Sequence, residues 1–357
     1  MIVRGGQLPY DSGAVWFFAG PHVTDYPSLT SSVAPLPADD AVVAVGFIGD
    51  APVLALADGD ILLGSTGESR RIHAHPQAAI LIASCEGDRI VTGGDDGRVI
   101  ETRTDGSCVT LANENGKWID ALALRDGATA WSAGRSVRVR SAKGEIKNLD
   151  LTSTSRGLAF FPKGYRLAAA HYNGATLWFP NAAAPETLEW KGAHLDATIS
   201  PDGRFLVTSM QENTLHGWRL VDGKHMRMAG YPGKTRSFSW SSDGKWLATS
   251  GADACIIWPF AGKDGPMGET PRECGVRADI PVTRVAFHPA APVVAIGYDD
   301  GMVMLARIND GSELLVRRPS ESGKSPRIGA LAWDAKGARL AFGADDGAAG
   351  VLTLPKG

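Results

Sequence analysis

Residues 284–306, RVAFHPAAPVVAIGYDDGMVMLA, contain the pattern that decides the fold of this chain. An apolar segment ends in a turn with proline, a second apolar segment follows, and an Asp-Asp-Gly turn leads into a third. Short apolar runs bounded by Gly, Pro and Asp are typical of β-strands joined by tight turns. The stretch therefore predicts a meander of three antiparallel strands.

The same unit recurs along the chain. Clear copies are GALAWDAKGARLAFGADDGAAGVLTL (329–354), ATISPDGRFLVTSMQENTLHGWRL (197–220), SFSWSSDGKWLATSGADACIIW (237–258) and GLAFFPKGYRLAAAHYNGATLWF (157–179). Weaker copies are ILIASCEGDRIVTGGDDGRVIET (80–102), IDALALRDGATAWSAGRSVRVRS (119–141) and VVAVGFIGDAPVLALADGDILLG (42–64). The first segments of the eight units end in the apolar residues Phe47, Ala83, Leu124, Phe160, Ile199, Trp240, Phe287 and Trp333. Their spacings of 36, 41, 36, 39, 41, 47 and 46 residues lie around the roughly 40–45-residue period of a four-stranded propeller blade.

The linking segments supply a fourth, outer strand, because they are more polar than the units and more variable. Seven such segments serve eight units, so the last unit lacks its outer strand. We expect the N-terminal run AVWFFAG (14–20) to complete that blade and close the ring. The sequence thus predicts one all-β propeller domain over residues 1–357, with eight four-stranded blades in 41–357 and an irregular loop at 21–40. Seven blades with an irregular extra segment is the alternative.

Several segments resemble the core of the WD-repeat family. They are SPDGRFLVTS (200–209), SSDGKWLATSGAD (241–253), GGDDGRV (93–99) and GYDDGMV (297–303). The resemblance covers nearly the whole chain beyond residue 40 and implies the propeller fold and a role in protein interaction. The family's Trp-Asp pair is replaced in every unit, for example by Trp218-Arg219, and its Gly-His pair survives only as Ala74-His75 and Ala193-His194. These departures argue against the family's hydrogen-bonded tetrad in most units.

Composition narrows the classes of function. The 36 basic and 39 acidic side chains give a net charge of -3, which provides no electrostatic footprint for nucleic acid or an anionic membrane. No run approaches the roughly 20 apolar residues of a membrane-spanning helix, and residues 1–20 lack the pattern of a signal peptide. The four cysteines contain no Cys-x-x-Cys pair. We therefore expect a cytoplasmic protein.

No local motif of a hydrolase, zinc protease or P-loop enzyme is present, so we expect no enzymatic activity and no cofactor. The acidic pairs at 95–96, 299–300 and 345–346 recur at one repeat position, where aspartate is favoured in tight turns. They therefore lie in different blades and do not converge on a metal. His73 and His75 are a weak alternative pair of metal ligands, without a third ligand nearby in sequence.

Candidate binding residues fall in the connections at one end of the predicted ring. Trp118, Arg156 and Arg236 stand shortly before the first strands of their units, with His194 close by, and Tyr172, Gln211 and Tyr298 lie at the turn after the second strand. Aromatic and arginine side chains are favoured anchors at protein interfaces. The sequence predicts a non-catalytic scaffold that presents this rim to a protein partner. The alternative is a propeller that binds a small molecule or a metal, including an enzyme of this kind. Its ligands, such as His73, His75, His171 and His194, would gather in the channel.

Overall fold

Antiparallel strands make up nearly all the regular structure of the chain. The computed structural model describes residues 26–64, 69–181, 184–320 and 326–355. A short 3-10 turn, Thr30–Ser32, precedes the strands β1 (Val33–Pro35), β2 (Val42–Ile48), β3 (Ala51–Leu56), β4 (Asp60–Gly64), β5 (Ser69–His73), β6 (Ile80–Glu86), β7 (Arg89–Gly94), β8 (Arg98–Arg103) and β9 (Cys108–Asn113). Then follow β10 (Ala121–Arg125), β11 (Ala128–Ala133), β12 (Ser136–Arg140), β13 (Ile146–Asp150), β14 (Gly157–Phe160), β15 (Leu167–Trp178), β16 (Glu186–Ile199), β17 (Phe205–Met210), β18 (Leu215–Arg219) and β19 (His225–Met228). The last strands are β20 (Phe238–Trp240), β21 (Trp246–Thr249), β22 (Cys255–Pro259), β23 (Arg272–Cys274), β24 (Val282–Phe287), β25 (Val293–Tyr298), β26 (Val303–Arg307), β27 (Glu313–Arg317), β28 (Ile328–Trp333), β29 (Arg339–Ala344) and β30 (Ala349–Thr353).

The described strands form seven sheets. Six sheets have four strands, as in β2-β3-β4-β5 and β24-β25-β26-β27, and the seventh has six strands, from β14 to β19. The prediction of eight separate four-stranded blades is therefore not supported, and the alternative of seven agrees with the number of sheets. The two additional strands belong to a regular sheet and not to an irregular extra segment, since repeat units four and five both lie in the six-stranded sheet.

The ring is completed by an N-terminal strand, as the sequence predicts, but from a different segment. β1 pairs with β30, with Val33 opposite Leu352. This strand lies inside the segment 21–40 that we expected to be an irregular loop, while residues 14–20 lie outside the described residues. Just before β1, Ser28 forms a parallel bridge with Leu315 of β27, so the N-terminal segment contacts the outer strand of unit seven and then supplies the outer strand of unit eight.

The hydrophobic core lies between neighbouring sheets. Val42 of the first unit packs with Ala341 and Val351 of the last. Close packing requires small residues at the end of the second strand of each unit. A Cβ on Gly93 would lie closer than 3.0 Å to Ile119, just before β10, and a Cβ on Gly343 closer than 3.0 Å to Val42 of β2, in each case a residue of the following unit. The Gly-containing ends of the second apolar runs therefore allow adjacent sheets to approach closely.

Side chains form hydrogen bonds with backbone groups at the inner edges of the sheets, where no neighbouring strand pairs with them. The amide of Val285 donates to Ser237 Oγ at 3.0 Å and that of Phe287 donates to Ser239 Oγ at 2.7 Å. Trp333 Nε1 donates to the carbonyl of Ala286 at 3.1 Å. Since an unpaired strand edge is costly when buried, these bonds join one unit to the next around the channel.

Candidate interaction surface

Trp118 is an exposed aromatic side chain on a firmly anchored connection. It follows a turn in which Asn115 and Gly116 have positive φ, between β9 and β10. The amide of Gly116 donates to the carbonyl of Asp96, and that of Ile119 donates to Gly94 O, both at 3.1 Å. The backbone is therefore fixed, while 64% of the Trp118 surface remains exposed.

Arg156 and Tyr172 extend this surface to the next unit. Arg156, immediately before β14, forms an ion pair with Asp120 at 3.2 Å, and 58% of its side chain is exposed. The amide of Tyr172 donates to Ser153 Oγ at 3.0 Å, and Tyr172 is 54% exposed. We call Trp118, Arg156 and Tyr172 the aromatic patch. Its members occupy neighbouring connections at the same end of the sheets, because connections between units and second-to-third-strand turns share that end in an antiparallel meander.

A groove of about 1050 Å³ begins beside Tyr172. It is lined by residues 149–153, 171–173, 176, 185, 187 and 189–191. Leu151 and the half-buried Trp190 contribute apolar surface, while Glu189 and Lys191 contribute charge. The combination of apolar walls with a few polar groups is typical of binding grooves. The sequence did not identify Trp190, because its position on an outer strand resembles that of an ordinary packing residue.

Two predicted rim residues do not contribute an exposed side chain. His194 is buried, with Nδ1 2.7 Å from Thr208 Oγ1 and Nε2 3.0 Å from the carbonyl of Trp190, and burial lowers its pKa. Tyr298 is fully buried, and its hydroxyl donates to the carbonyl of Gly275 at 2.6 Å. His194 therefore links β16 to β17 inside the sheet, whereas Tyr298 links β25 to the connection after β23. Gln211 is exposed, and its amide donates to the carbonyl of Ala193.

Arg236 lies apart from the aromatic patch, beside a second cavity of about 500 Å³. Lys234, Arg284 and Arg327 line the same cavity. Arg284 is held by a bond from Nε to the carbonyl of Gly329 at 2.5 Å. Arg284 lies one residue later in its unit than Arg236 does. Its side chain nevertheless reaches the same cavity as that of Arg236. Arg327 directly precedes β28, and this placement was the sequence signal that we missed.

The weak alternative of a metal site at His73 and His75 gains no support from the geometry. His73 is largely exposed and lies 2.7 Å from Asp60 Oδ1, whereas His75 is buried, between Thr92 Oγ1 at 2.8 Å and Asp96 Oδ2 at 3.1 Å. Burial lowers the pKa of His75. Within the described residues, no group of three or more His, Cys, Asp or Glu is arranged to hold a metal ion. None of the helices described there is long and apolar enough to cross a membrane.

Parts of the hydrogen-bonded set expected from WD repeats are present despite the missing Trp-Asp pairs. His75, Thr92 and Asp96 form one such set in unit two. In unit six, Tyr231 bonds Thr249 at 2.7 Å and accepts from Trp258 Nε1 at 2.6 Å. The tetrad is therefore reduced and partly rebuilt, with tyrosine where unit two has histidine.

Comparisons with known proteins agree with this architecture. The family model described as "WD domain, G-beta repeat" matches residues 227–258. "WD repeat-containing protein 1-B" of Xenopus laevis is 33% identical over 82 residues, which are 22% of this chain and 14% of that protein. The match thus spans only about a seventh of the relative's length.

Two solved structures are similar across most of the chain. The computationally designed protein Ika8 has a TM-score of 0.73 at 19% identity, covering 89% of this chain and 98% of that one. The C-terminal WD40 domain of Sif2 has a TM-score of 0.72 at 13% identity, covering 91% of this chain and 99% of the domain. Identities this low support the fold alone. With the family match at residues 227–258 and the repeats, they support a WD-repeat β-propeller.

Proposed function

We propose that this protein is a non-catalytic scaffold that presents the aromatic patch to a partner protein. The observation that carries the proposal is the exposure of Trp118 and Tyr172 on connections whose backbones are fixed by hydrogen bonds. Large aromatic side chains on rigid supports lose little entropy on binding and bury much apolar surface. WD-repeat propellers generally act as protein-interaction scaffolds, which favours this function over catalysis.

Arg156 would supply specificity within the patch. Its guanidinium already pairs with Asp120 but remains more than half exposed, so it can still donate to a carboxylate or carbonyl of the partner. A rim charge of this kind mainly steers association and selects the partner. The groove beside Tyr172 offers space for a segment of the same partner.

We further infer that eight repeat units surround the channel, although the strands form seven sheets. In β15, residues 167–170 pair with β14 and residues 174–177 pair with β16. Asn173 and Gly174, between these two parts, have positive φ. Likewise, one part of β16 pairs with β15 and the other, from His194 onward, with β17. An experimental structure with seven inner strands around the channel would contradict the count of eight.

The cytoplasmic location expected from the sequence is part of the proposal. The four cysteines are free in the described structure, as in a reducing compartment. Fractionation of cells that express the tagged protein tests this location. Recovery in a secreted or membrane fraction would contradict it.

The scaffold function is tested by affinity capture from native lysate with purified wild-type protein as bait. We expect defined partners whose recovery falls at least tenfold, about 1.4 kcal/mol, with the Trp118→Ala/Tyr172→Ala variant. The matched control is Val221→Ala/Lys163→Ala, which changes exposed residues at turns on the opposite end of the sheets. Equal recovery by the patch variant and the control variant would refute the patch as the docking surface.

A further inference from the structure

We propose that the channel mouth formed by units six to eight binds an oxyanion group, a carboxylate or phosphoryl, carried by the protein partner. We call this site, the cavity of about 500 Å³ lined by Lys234, Arg236, Arg284 and Arg327, the basic mouth. The inference that a protein partner carries the oxyanion rests on the proposed scaffold function. The presence of an oxyanion site does not, because it follows from the charges and the cavity.

The four cations come from three different connections. Lys234 and Arg236 precede β20, Arg284 lies on β24, and Arg327 precedes β28. No single local motif in the sequence could place them together. The ring brings them to one cavity because equivalent connections of consecutive units meet at one end of the channel.

Arg284 is fixed so that part of its guanidinium remains available. Nε donates to the carbonyl of Gly329 at 2.5 Å, and one terminal nitrogen donates to the carbonyl of Thr283 at 3.0 Å. The side chain is half-buried and forms no ion pair within 4.0 Å among the described residues. A guanidinium with a fixed orientation and a free donor edge is suited to bind an oxyanion.

The cations at this mouth repel one another. Burial lowers the pKa of Arg284, and the positive charges of Arg327 and Arg236 lower it further. Asp345 pairs with Arg327 at 2.9 Å, and Asp345 and, more weakly, Asp196 raise the pKa of Arg284 through space. Burial raises the pKa of Asp196 to about 6, so this carboxylate is mostly ionised at pH 7 and loses its charge in mildly acidic solution. A bound oxyanion would relieve the repulsion.

Three carboxylates, Asp253, Asp279 and Asp299, line the same cavity. They do not figure among the charges that act on Arg284. The cavity therefore combines four cationic side chains with three carboxylates, so the cations prevail by one charge. These carboxylates oppose anion binding, so neutralising one of them should strengthen it.

The test is calorimetric titration of the purified chain at low ionic strength with four probes. These are inorganic phosphate, a tetraglutamate peptide, a tetraglycine peptide containing one phosphoserine, and a tetralysine peptide. We expect saturable binding of a peptide oxyanion and no binding of tetralysine. Preference for tetraglutamate identifies a carboxylate as the ligand group, and preference for the phosphoserine peptide identifies a phosphoryl.

Two substitutions with opposite expected effects make the result specific. Arg236→Gln should weaken the preferred probe about fivefold, and Asp279→Asn should strengthen it about threefold, as the removal of an attractive or repulsive charge requires. Asp279 is exposed and has positive φ, which asparagine tolerates, so this variant should fold. Lys163→Gln, on an exposed turn at the opposite end of the sheets, is the matched control and should bind like the wild type.

The absence of saturable binding by all three anionic probes would overturn the inference, as would equal losses in Arg236→Gln and Lys163→Gln or preferential binding of tetralysine. These outcomes are independent of lysate capture. Anionic probes that bind a protein for which no partner is recovered would leave the basic mouth intact and refute the scaffold function. Capture of a partner by a protein that binds none of the anionic probes would refute the basic mouth and leave the scaffold function intact.

Discussion

Replacing Tyr231 by phenylalanine tests the buried hydrogen-bonding set of unit six. Thr249 Oγ1 donates its single proton to the carbonyl of Ile256 at 3.2 Å, so it must accept the bond from the Tyr231 hydroxyl at 2.7 Å. The tyrosine oxygen in turn accepts from Trp258 Nε1 at 2.6 Å. The hydrogen bonds therefore form one chain with a single direction of donation, from Trp258 to Tyr231, from Tyr231 to Thr249 and from Thr249 to Ile256. Burial raises the pKa of Tyr231 far above its ordinary value, so the hydroxyl remains a donor at any practical pH.

The magnitude follows from what each neighbour loses. Without the hydroxyl, the indole N–H of Trp258 is buried with no acceptor, which costs about 1–3 kcal/mol. Thr249 keeps its bond to Ile256 and loses one ordinary hydrogen bond, about 0.5–1.5 kcal/mol. The ring of Tyr231 is retained, so packing changes little. We expect Tyr231→Phe to lower the free energy of unfolding by about 2–4 kcal/mol.

The assay is equilibrium unfolding in urea, followed by tryptophan fluorescence. Tyr172→Phe is the matched control, because the same atom is removed from an exposed side chain, and it should change stability by less than about 0.5 kcal/mol. Trp258→Phe removes the orphaned donor, so Tyr231→Phe should cost less in that background. Equal stability of Tyr231→Phe and Tyr172→Phe would refute the reasoning, and so would additivity of the Tyr231 and Trp258 substitutions.

Three further predictions concern acid stability, a buried ion pair and ring closure. Burial lowers the pKa of His216 to about 3, below the roughly 6.5 of the unfolded chain. Stability should therefore fall as pH drops from 6.5 toward 3, by up to about 1.4 kcal/mol per pH unit from this residue, and acid unfolding of His216→Phe should show a shallower slope. Arg89→Met should cost about 3–5 kcal/mol in urea unfolding, because Arg89 pairs with Glu86 and the buried Glu101, and Glu101→Gln in that background should restore part of the loss. Val33→Asp should cost about 1–3 kcal/mol by placing an unpaired charge against the core of the last sheet, and hydrogen exchange at the amides of β30 should then accelerate, whereas unchanged exchange would contradict the role of β1.

Sequence patterns predicted the strands well, because burial between sheets imposes the same alternation on every unit. The inner-strand residues Phe287 and Trp333 end β24 and β28 as the repeats indicated. The closing strand was placed on the wrong segment. β1 has the sequence Val-Ala-Pro, only three residues long, since an outer strand needs little beyond backbone pairing with β30. Hydropathy therefore favoured the more apolar run at 14–20, and no local signal marks residues 33–35.

Tyr298 shows why side-chain exposure was harder to predict than strand position. Gly94 and Tyr298 occupy the same repeat position before an Asp-Asp-Gly turn. A Cβ on Gly94 would collide with the ring of His75, which reaches from the connection toward the second strand. In unit seven the tyrosine reaches in the opposite direction, from the second strand to the carbonyl of Gly275 in the connection. The space between the second strand and the connection is thus filled by a side chain from the connection in unit two and from the strand in unit seven. A single sequence does not show which of the two fills it.

The same reasoning explains why binding residues separated into two surfaces. Arg156 and Arg327 each stand immediately before an inner strand, so the repeat alone makes them equivalent. Their neighbours differ, because Arg156 lies between exposed aromatic residues, whereas Arg327 shares a cavity with two other guanidiniums. Both surfaces lie at the end of the sheets where the units are connected. A partner that engages both must therefore carry an apolar element for units two to four and an oxyanion for units six to eight. Combining Trp118→Ala with Arg236→Gln measures this coupling, since loss of affinity beyond the sum of the single losses would indicate one partner bound across the channel.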